Sequence, residues 1–513
     1  KSNASFRILR KFGFADYTSG MAMAHWEIQG WMILILGWVF VPFYTRSMVY
    51  TMPEFLERRY NPQSRTILSV ISLVSYVLTK VAVTVYAGGL VFQQVFGIKE
   101  LWGIDFFWIA AIGLVVLTAL YTIFGGMKSV LYTSVLQTPI LLLGSLIILV
   151  LGFKELGGWD EMMRVCGAVT VNDYGDTMTN LIRSNDDANF PWLGALIGSA
   201  IIGFWYWCTD QFIVQRVLSG KNEMEARRGT IFGAYLKLLP VFLFLIPGMI
   251  AFALHQKYIG AGGEGFLPML ENGTANADAA FPTLVAKLLP AGVKGLVVCG
   301  ILAALMSSLA SLFNSSAMLF TIDFYKRFRP QTSEKKLVGI GQVATVVIVI
   351  LGILWIPIMR SVGDVLYTYL QDVQSVLAPG IAAAFLLGIC WKRTSAQGGM
   401  WGLISGMVIG LTRLGAKVYY SNAGEVADST FKYLFYDMNW LFFCGWMFLF
   451  CIIVVIVVSL ATEAPTAEKI QGLVFGTATK EQKASTRASW NHWDIIHTVI
   501  ILAITGAFYW YFW

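Results

Sequence analysis

Long apolar runs recur along the whole chain, and they restrict its fold more than any other feature of the sequence. Two examples are "WIAAIGLVVLTALYTIFGG" and "WLFFCGWMFLFCIIVVIVVSLA", each close to the roughly 20 residues that span a bilayer core as a helix. Charged residues make up 13% of the chain, against about 25% in soluble domains. The sequence has no alternation of apolar and polar residues typical of a membrane barrel. It therefore predicts an all-α polytopic membrane protein.

Hydropathy divides the chain into twelve expected spans, with no room for a globular domain between them. The expected spans are 19–45, 65–94, 105–124, 129–153, 191–215, 230–255, 293–323, 338–358, 364–391, 397–419, 438–461 and 494–513.

The loops between these spans alternate in charge. "TRSMVYTMPEFLERRYNPQSR" and "QRVLSGKNEMEARR" are rich in Lys and Arg, whereas loop 154–190 holds seven acids and three bases. Basic loops face the cytoplasm, so loop 154–190 and Trp513 are expected outside and segment 462–493 inside. The net charge of +7 then belongs to the cytoplasmic loops and does not indicate a nucleic-acid partner.

Four further expectations follow from the sequence. The six cysteines are scattered, with no CxxC spacing, which is typical of buried small side chains. The sequence has no nucleotide-binding loop and no Ser/His/Asp arrangement, so we do not expect an enzyme. A short segment 462–493 favours a bacterial inner membrane. The start "KSNASF", without Met, leads us to expect residues preceding Lys1.

Polar side chains inside the expected spans are the candidates for function, because a polar group in hydrocarbon is expensive. Each of them could instead pair two helices or anchor an interface. Together they supply a carboxylate, two ammonium groups, an amide and flat aromatic faces, which is the chemistry that binds the hydroxyls and C–H faces of a sugar. The set comprises Glu27, Lys80, Lys237, Gln371 and, from "WYWCTDQ", Tyr206 and Trp207.

A second candidate site lies in "LAALMSSLAS". Ala304, Ser307 and Ser308 fall within about one helical turn, so a carbonyl at i and hydroxyls at i+3 and i+4 can point the same way. Neutral oxygens of this kind suit a monovalent cation such as Na⁺, whereas Ca²⁺ prefers carboxylates.

Several long motifs resemble those of a known family. They include "GWVFVPFYTRSMVYTMPEFLERRY", "YVLTKVAVTVYAGG", "WYWCTDQFIVQRVLSGKN", "GAYLKLLPVFLFLIPGMI" and "LAALMSSLASLFNSSAMLFTIDFY". The chain resembles the sodium/solute symporters, and within them the sodium/glucose (galactose) cotransporters. The resemblance implies two inverted five-helix repeats with broken first helices, at 1–153 and 191–391, separated by extracellular loop 154–190. Additional transmembrane helices would occupy 392–513.

The resemblance also implies roles for individual residues. Tyr206 matches an aromatic that closes the sugar pocket from the cytoplasm, with Trp207 beside it. The pattern departs at the N-terminus, where Lys1 falls at a sodium-carbonyl position and Ile8 where a sugar-binding His or Gln is usual. Ser134 stands where many relatives carry Asp, which favours one Na⁺ per solute. The implied substrate-binding residues are Asn3, Glu27, Lys80, Tyr206, Trp207, Lys237 and Gln371, and the implied Na⁺ residues are Ala4, Ala304, Ser307 and Ser308.

The expected function is secondary active transport, in which inward movement of Na⁺ drives uptake of a glucose- or galactose-like hexose by alternating access. Two alternatives remain open. The solute could be a sialic or uronic acid or myo-inositol, or the chain could be a sugar-gated sensor or channel on the same fold. The expected partners are the sugar, Na⁺ and the lipid bilayer.

Overall fold

The computed structural model describes residues 17–49, 51–270, 273, 275–362, 366–423 and 427–513, with the backbone alone described for most of 121–136 and for a few positions beside the gaps. Within these ranges the protein is almost entirely helical, and its β structure is one antiparallel ribbon of β1 (Glu100–Leu101) and β2 (Ile104–Asp105). The helices up to the middle of the chain are α1 Ser19–Ser47, α2 Met52–Arg59, α3 Pro62–Phe96, α4 Phe106–Leu156, α5 Trp159–Gly167, α6 Trp192–Thr209, α7 Gln211–Leu218 and α8 Glu223–Gly260. The remaining helices are α9 Ala280–Leu288, α10 Ala291–Phe328, α11 Glu334–Val362, α12 Leu366–Cys390, α13 Ala396–Asn422, α14 Trp440–Ala461, α15 Ala467–Ile470, α16 Lys480–Ala488 and α17 His492–Tyr511.

These helices account for the spans expected from hydropathy. Ten segments of the described chain are long and apolar enough to cross a membrane. The shorter apolar segment Phe106–Leu120 and the 27-residue α13 correspond to the other two expected spans. Arg413 and Lys417 lie within α13 and make it more polar than its neighbours.

Helix α4 differs from the expectation of two separate spans at 105–124 and 129–153, because its backbone is helical throughout. It is nevertheless not a straight rod. Its residue Leu114 and residue Leu305 of α10 both lie against Gly88, while Gly144 of α4 lies against Val297 of α10. A straight helix would separate Leu114 from Gly144 by about 45 Å, whereas Val297 and Leu305 are only about 12 Å apart on α10. The two ends of α4 therefore run back along each other, as two spans would.

Five of the long helices contain a wide π-helical turn. The turns are Leu36–Phe40 in α1, Tyr76–Val81 in α3, Phe204–Thr209 in α6, Val241–Leu245 in α8 and Leu319–Tyr325 in α10. Such turns are rare and frequently mark functional sites. Two of them carry candidate residues named from the sequence.

Contacts between distant segments agree with the sidedness derived from the charges. The backbone N–H of Leu181, in loop 154–190, donates to the carbonyl of Phe512 at 2.9 Å, so this loop and the C-terminus share one face. On the opposite face, segment 462–493 crosses the helix ends near the basic loops. There Lys469 donates to the carbonyl of Glu57 at 2.8 Å and Arg46 donates to Thr486 at 2.5 Å.

Helices α12 and α13 approach each other unusually closely because glycines face one another. The Cα of Gly406 would lie 2.9 Å from a Cβ placed on Gly380, and a Cβ on Gly410 would lie 2.2 Å from the carbonyl oxygen of Val376. Only a residue without a side chain permits this distance between the two backbones. Small residues let membrane helices gain contact area by close approach.

We predict that Gly410→Ala destabilises the protein, because the added methyl group forces α12 and α13 apart. Gly415→Ala on the same helix is the matched control, since a Cβ there has no neighbour within 4 Å. Overpacking of this kind costs about 1–3 kcal/mol, which should lower the thermal unfolding midpoint of the purified protein in detergent for Gly410→Ala only. Equal midpoints for the two variants would contradict the close packing.

Candidate functional site

The stretch "WYWCTDQ" is where a membrane helix is interrupted. Helix α6 ends in the π-helical turn Phe204–Thr209, Asp210 adopts an extended backbone, and α7 begins at Gln211. Asp210 caps the new helix, because its Oδ1 accepts from the backbone N–H of Phe212 at 3.0 Å. The interruption leaves backbone groups and polar side chains inside the bundle, and this accounts for the polar residues that follow an apolar run.

Lys80 is paired with Asp210 at this interruption. Its Nζ donates to Asp210 Oδ2, and the hydroxyl of Tyr76 donates to Asp210 Oδ1 at 2.8 Å. Lys80 and Asp210 are 9% and 4% exposed, and the Lys80 ammonium lies 5.0 Å from the ring centre of Tyr206 and 4.3 Å from that of Phe212. A buried pair is tolerated in the membrane only when both charges have partners, and here they do.

Lys237 is paired with Glu27, with 2.7 Å between Nζ and Oε2. Glu27 precedes the break at Ile28–Gln29 in α1, and Gln29 donates from Nε2 to the carbonyl of Ser199 at 2.8 Å. This pair is more accessible than the first, with side-chain exposures of 15% for Lys237 and 22% for Glu27. It can therefore meet a solute while the Lys80–Asp210 pair remains covered.

Two aromatic rings connect the ion pairs. Tyr206 and Trp207 lie edge to face, with ring centres 5.1 Å apart, and Lys237 Nζ lies 5.7 Å from the ring centre of Trp207. Five residues named from the sequence thus form one continuous group drawn from α1, α3, α6 and α8. The group consists of Glu27, Lys80, Tyr206, Trp207 and Lys237.

Gln371 lies on α12, which packs against α3 near Lys80. The hydroxyl of Tyr369 donates to the carbonyl of Leu78 at 3.0 Å. The two helices therefore meet two residues before Gln371 on α12 and two residues before Lys80 on α3. Gln371 is 7% exposed, and its Oε1 has no hydrogen-bond partner among the described residues. A buried amide oxygen without a partner is available to a bound solute.

The serine-rich face of α10 presents neutral oxygens, as the sequence predicts. Ser307 is buried and Ser308 and Ala304 are half-buried. The hydroxyl of Ser311, one turn further, donates to the carbonyl of Ser307 at 2.9 Å and accepts from Arg216. In the described parts of the chain no group of three or more His, Cys, Asp or Glu residues could hold a metal ion, and the oxygens of Ala304, Ser307 and Ser308 are themselves neutral.

Five residues named from the sequence lie outside what the structure describes. They are Lys1, Asn3, Ala4 and Ile8, together with the side chain of Ser134.

Two buried carboxylates, one at the site and one away from it, were not among the predicted site residues. Asp210 holds Lys80, and its position just before an apolar helix is the usual sequence signature of an N-cap. Asp323, near the cytoplasmic end of α10, is fully buried and accepts from Arg65 on α3 and from Thr51 at 2.9 Å. Sequence spacing gives no indication of the second group, because its members are about 260 residues apart.

Comparison with known proteins places this arrangement in a family. The model of the sodium:solute symporter family matches residues 12–406. The sodium/mannose cotransporter of Bos taurus is 36% identical over 510 residues, covering 94% of this chain and 83% of that protein. Sodium/myo-inositol cotransporter 2 of Homo sapiens is 35% identical, covering 90% of this chain and 69% of that protein. Sodium/glucose cotransporter 4 of Danio rerio is 35% identical, covering 92% and 73%.

Solved structures share the fold at low sequence identity. A Na⁺-coupled sialic acid symporter in a substrate-bound outward-open state superposes with a TM-score of 0.68 at 20% identity, covering 89% of this chain and 87% of that one. A nucleobase-cation-symport-1 family transporter in a closed conformation gives 0.51 at 12% identity, covering 93% and 92%. The fold is thus the all-α membrane architecture of two inverted five-helix repeats with additional helices. The chain belongs to the sodium:solute symporter family, and it is a multi-pass membrane protein that couples solute transport to Na⁺.

Proposed function

We propose that this symporter carries a neutral sugar or a related polyol into the cell together with Na⁺. The observation that carries the proposal is the pairing of both lysines at the site, Lys80 with Asp210 and Lys237 with Glu27. Because each ammonium already has a carboxylate, this group of residues has no surplus positive charge for an acidic solute. Paired charges still offer donor and acceptor edges to hydroxyl groups, so a neutral solute rich in hydroxyls fits better than a sialic or uronic acid.

The similar proteins support this class of solute. Relatives that share about a third of the sequence over nine-tenths of the chain are named for mannose, myo-inositol and glucose. The sialic acid symporter is similar in fold at 20% identity and gives no argument about the solute. We rank a neutral hexose first and myo-inositol second.

Each proposed contact follows from the chemistry of its side chain. Trp207 supplies a flat face for the C–H surface of the ring, and the amide of Gln371 and the Glu27–Lys237 pair supply hydrogen bonds. Tyr206, whose ring lies on Lys80, would close the pocket toward the cytoplasm. The proposed solute-binding residues are Asn3, Glu27, Lys80, Tyr206, Trp207, Lys237 and Gln371.

Sodium supplies the driving force. We propose that Na⁺ binds the oxygens of Ala304, Ser307 and Ser308 together with Ala4 on the first core helix, one ion per solute. The membrane potential contributes roughly 2.3 kcal/mol per charge per 100 mV. If bound Na⁺ tightens solute binding, bound solute tightens Na⁺ binding by the same factor, and closure is a rocking of one group of helices against the other.

The boundaries and the membrane are also proposals. We propose repeats at 1–153 and 191–391, an extracellular loop at 154–190, additional helices at 392–513 and no enzymatic activity. A bacterial inner membrane is the proposed location, supported by the shortness of cytoplasmic segment 462–493, although the relatives compared above are animal proteins.

Uptake into vesicles tests the proposed function directly. Purified protein in liposomes should accumulate radiolabelled glucose or galactose when Na⁺ is higher outside, and should not do so in a matched K⁺ gradient. Unlabelled mannose and myo-inositol should compete, while sialic and glucuronic acids should not. Equal uptake in the two gradients, or solute-evoked current without accumulation, would overturn the proposal.

The role of Trp207 predicts a graded effect on solute affinity. Trp207→Ala removes the stacking face, a loss of about 1.4 kcal/mol that corresponds to a tenfold higher KM, whereas Trp207→Phe retains a smaller face and should raise the KM less. Trp102→Ala is the control, because Trp102 is 83% exposed on the β ribbon. The measurement is the solute dependence of Na⁺-driven uptake. A similar KM for the Ala and Phe variants would argue against stacking.

The sodium site predicts a specific effect on ion dependence. Ser308→Ala removes one neutral ligand, a loss on the order of 1 kcal/mol, so the half-saturating Na⁺ concentration should rise roughly fivefold. Ser316→Ala on the same helix is the matched control, since Ser316 is fully buried and its hydroxyl has no hydrogen-bond partner among the described residues. If both variants show the same Na⁺ dependence, Ser308 is not a ligand.

A further inference from the structure

A second group of buried charges lies between α12 and α13, outside the residues proposed to bind solute. Lys417 Nζ on α13 donates to Asp372 Oδ2 on α12. Asp372 is 9% exposed, and its other oxygen, Oδ1, has no hydrogen-bond partner among the described residues. Arg413, one turn before Lys417, is fully buried and donates to the carbonyls of Leu434 at 3.2 Å and Met438 at 2.7 Å.

This ion pair is not the only contact that joins the two helices. Glycine contacts at Gly380, Gly406 and Gly410 already bring their backbones together. A buried ion pair is weak evidence for stability, since an apolar pair of the same volume often serves as well or better. An ion pair is directional, however, so the bond from Lys417 fixes the position of α12, which carries the Asp372 carboxylate.

The residue whose position is fixed in this way is Gln371. Consecutive residues on a helix point about 100° apart, so Gln371 points roughly at right angles to the direction in which Asp372 meets α13. Helix α12 is fixed on either side of Gln371, by Tyr369 bonded to Leu78 on α3 and by Asp372 bonded to Lys417 on α13. The Gln371 amide, with its unpartnered Oε1, stands between these two anchors.

The anchors lie near the start of α12, whose helical backbone begins at Leu366. There the backbone N–H of Leu366 donates to the carboxylate of Asp278 at 3.2 Å, and the indole of Trp355 donates to the hydroxyl of Tyr369 at 2.6 Å. In the described part of the chain this end of α12 also has a contact with α3, through Leu78, and one with the peripheral helix α13, through Lys417.

We propose that Lys417, acting through Asp372, is a positioning residue that holds the Gln371 amide in place for the solute. This rests on the proposed function, in which Gln371 contacts a neutral sugar or polyol. A helix outside the two proposed repeats thus sets the geometry of one solute contact.

A double-mutant cycle on uptake by liposomes tests the coupling. We expect Gln371→Ala and Lys417→Met each to raise the KM for the transported sugar about tenfold, the effect of one lost hydrogen bond, with the maximal rate per folded transporter changed less than about twofold. The double variant should show about the same tenfold rise and not a hundredfold rise, because residues that act as a unit are not additive. Lys417→Arg should restore the KM.

The controls separate the possible failures. Arg164→Met removes the cation of an exposed ion pair with Glu161 and should leave the KM unchanged. If Gln371→Ala has no effect, Gln371 is not a solute contact and that part of the proposed function fails. If Gln371→Ala acts but Lys417→Met does not, or the double variant shows a hundredfold rise, the positioning role is overturned while the proposed function stands.

Loss of folding does not obstruct the test. A single uncompensated Asp372 carboxylate would be costly in the membrane, so the cycle is repeated with the neutral pair Asp372→Asn with Lys417→Met. This pair lacks the directional bond and removes one charge of each sign together, while Arg413 keeps its bonds to the carbonyls of Leu434 and Met438. In the protein that keeps Gln371, we expect this pair of substitutions to raise the KM about tenfold. In the Gln371→Ala variant, it should have no further effect on the KM. A purely structural role would instead lower the unfolding midpoint and leave the KM unchanged.

Discussion

Two lysines within the thickness of the membrane impose the constraint that organises this site, because each ammonium needs a counter-charge where water is absent. Both carboxylates that meet this need stand at interruptions of helices, Asp210 between α6 and α7 and Glu27 before the break in α1. An interrupted helix has backbone N–H groups without partners. A carboxylate can accept hydrogen bonds from these groups and from a lysine at the same time. Asp210 does so, accepting from Phe212, Tyr76 and Lys80. The helix breaks and the ion pairs are therefore one arrangement.

The same bonds connect helices that have to move relative to one another during transport. Lys80 joins α3 to the interruption after α6, and Arg65, at the other end of α3, joins it to Asp323 on α10. Tyr206 lies over Lys80, so its displacement would admit water to the Lys80–Asp210 pair. Hydration of these two charges would offset part of the packing energy that opening of the pocket removes.

The sequence predicts which side chains lie in the site, but it does not predict their partners. Apolar length fixes the spans, and an isolated Lys in an apolar run is conspicuous, so Lys80 and Lys237 could be named in advance. Their carboxylates lie 130 and 210 residues away along the chain, and a single sequence gives no signal that relates them. The continuous backbone of α4 and the pair Asp372–Lys417 were missed for the same reason, since the direction in which a helix bends or a side chain turns is decided by tertiary packing.

The pairing of Lys80 and Lys237 with carboxylates affects the driving force of transport as well as the choice of solute. If all the charges that line the pocket are paired, a neutral solute adds none, and the charge that crosses the membrane in one cycle is that of Na⁺. The oxygens named for the ion, those of Ala304, Ser307 and Ser308, are neutral, so these ligands would leave the charge of Na⁺ uncancelled. A Na⁺ ion that crosses with its charge uncancelled is driven by the membrane potential, roughly 2.3 kcal/mol per 100 mV, in addition to the concentration gradient. An acidic solute would cancel the charge of Na⁺, and transport would lose the electrical part of its driving force. This is a physical reason for a Na⁺ site of neutral oxygens to occur together with a pocket in which the charges are paired.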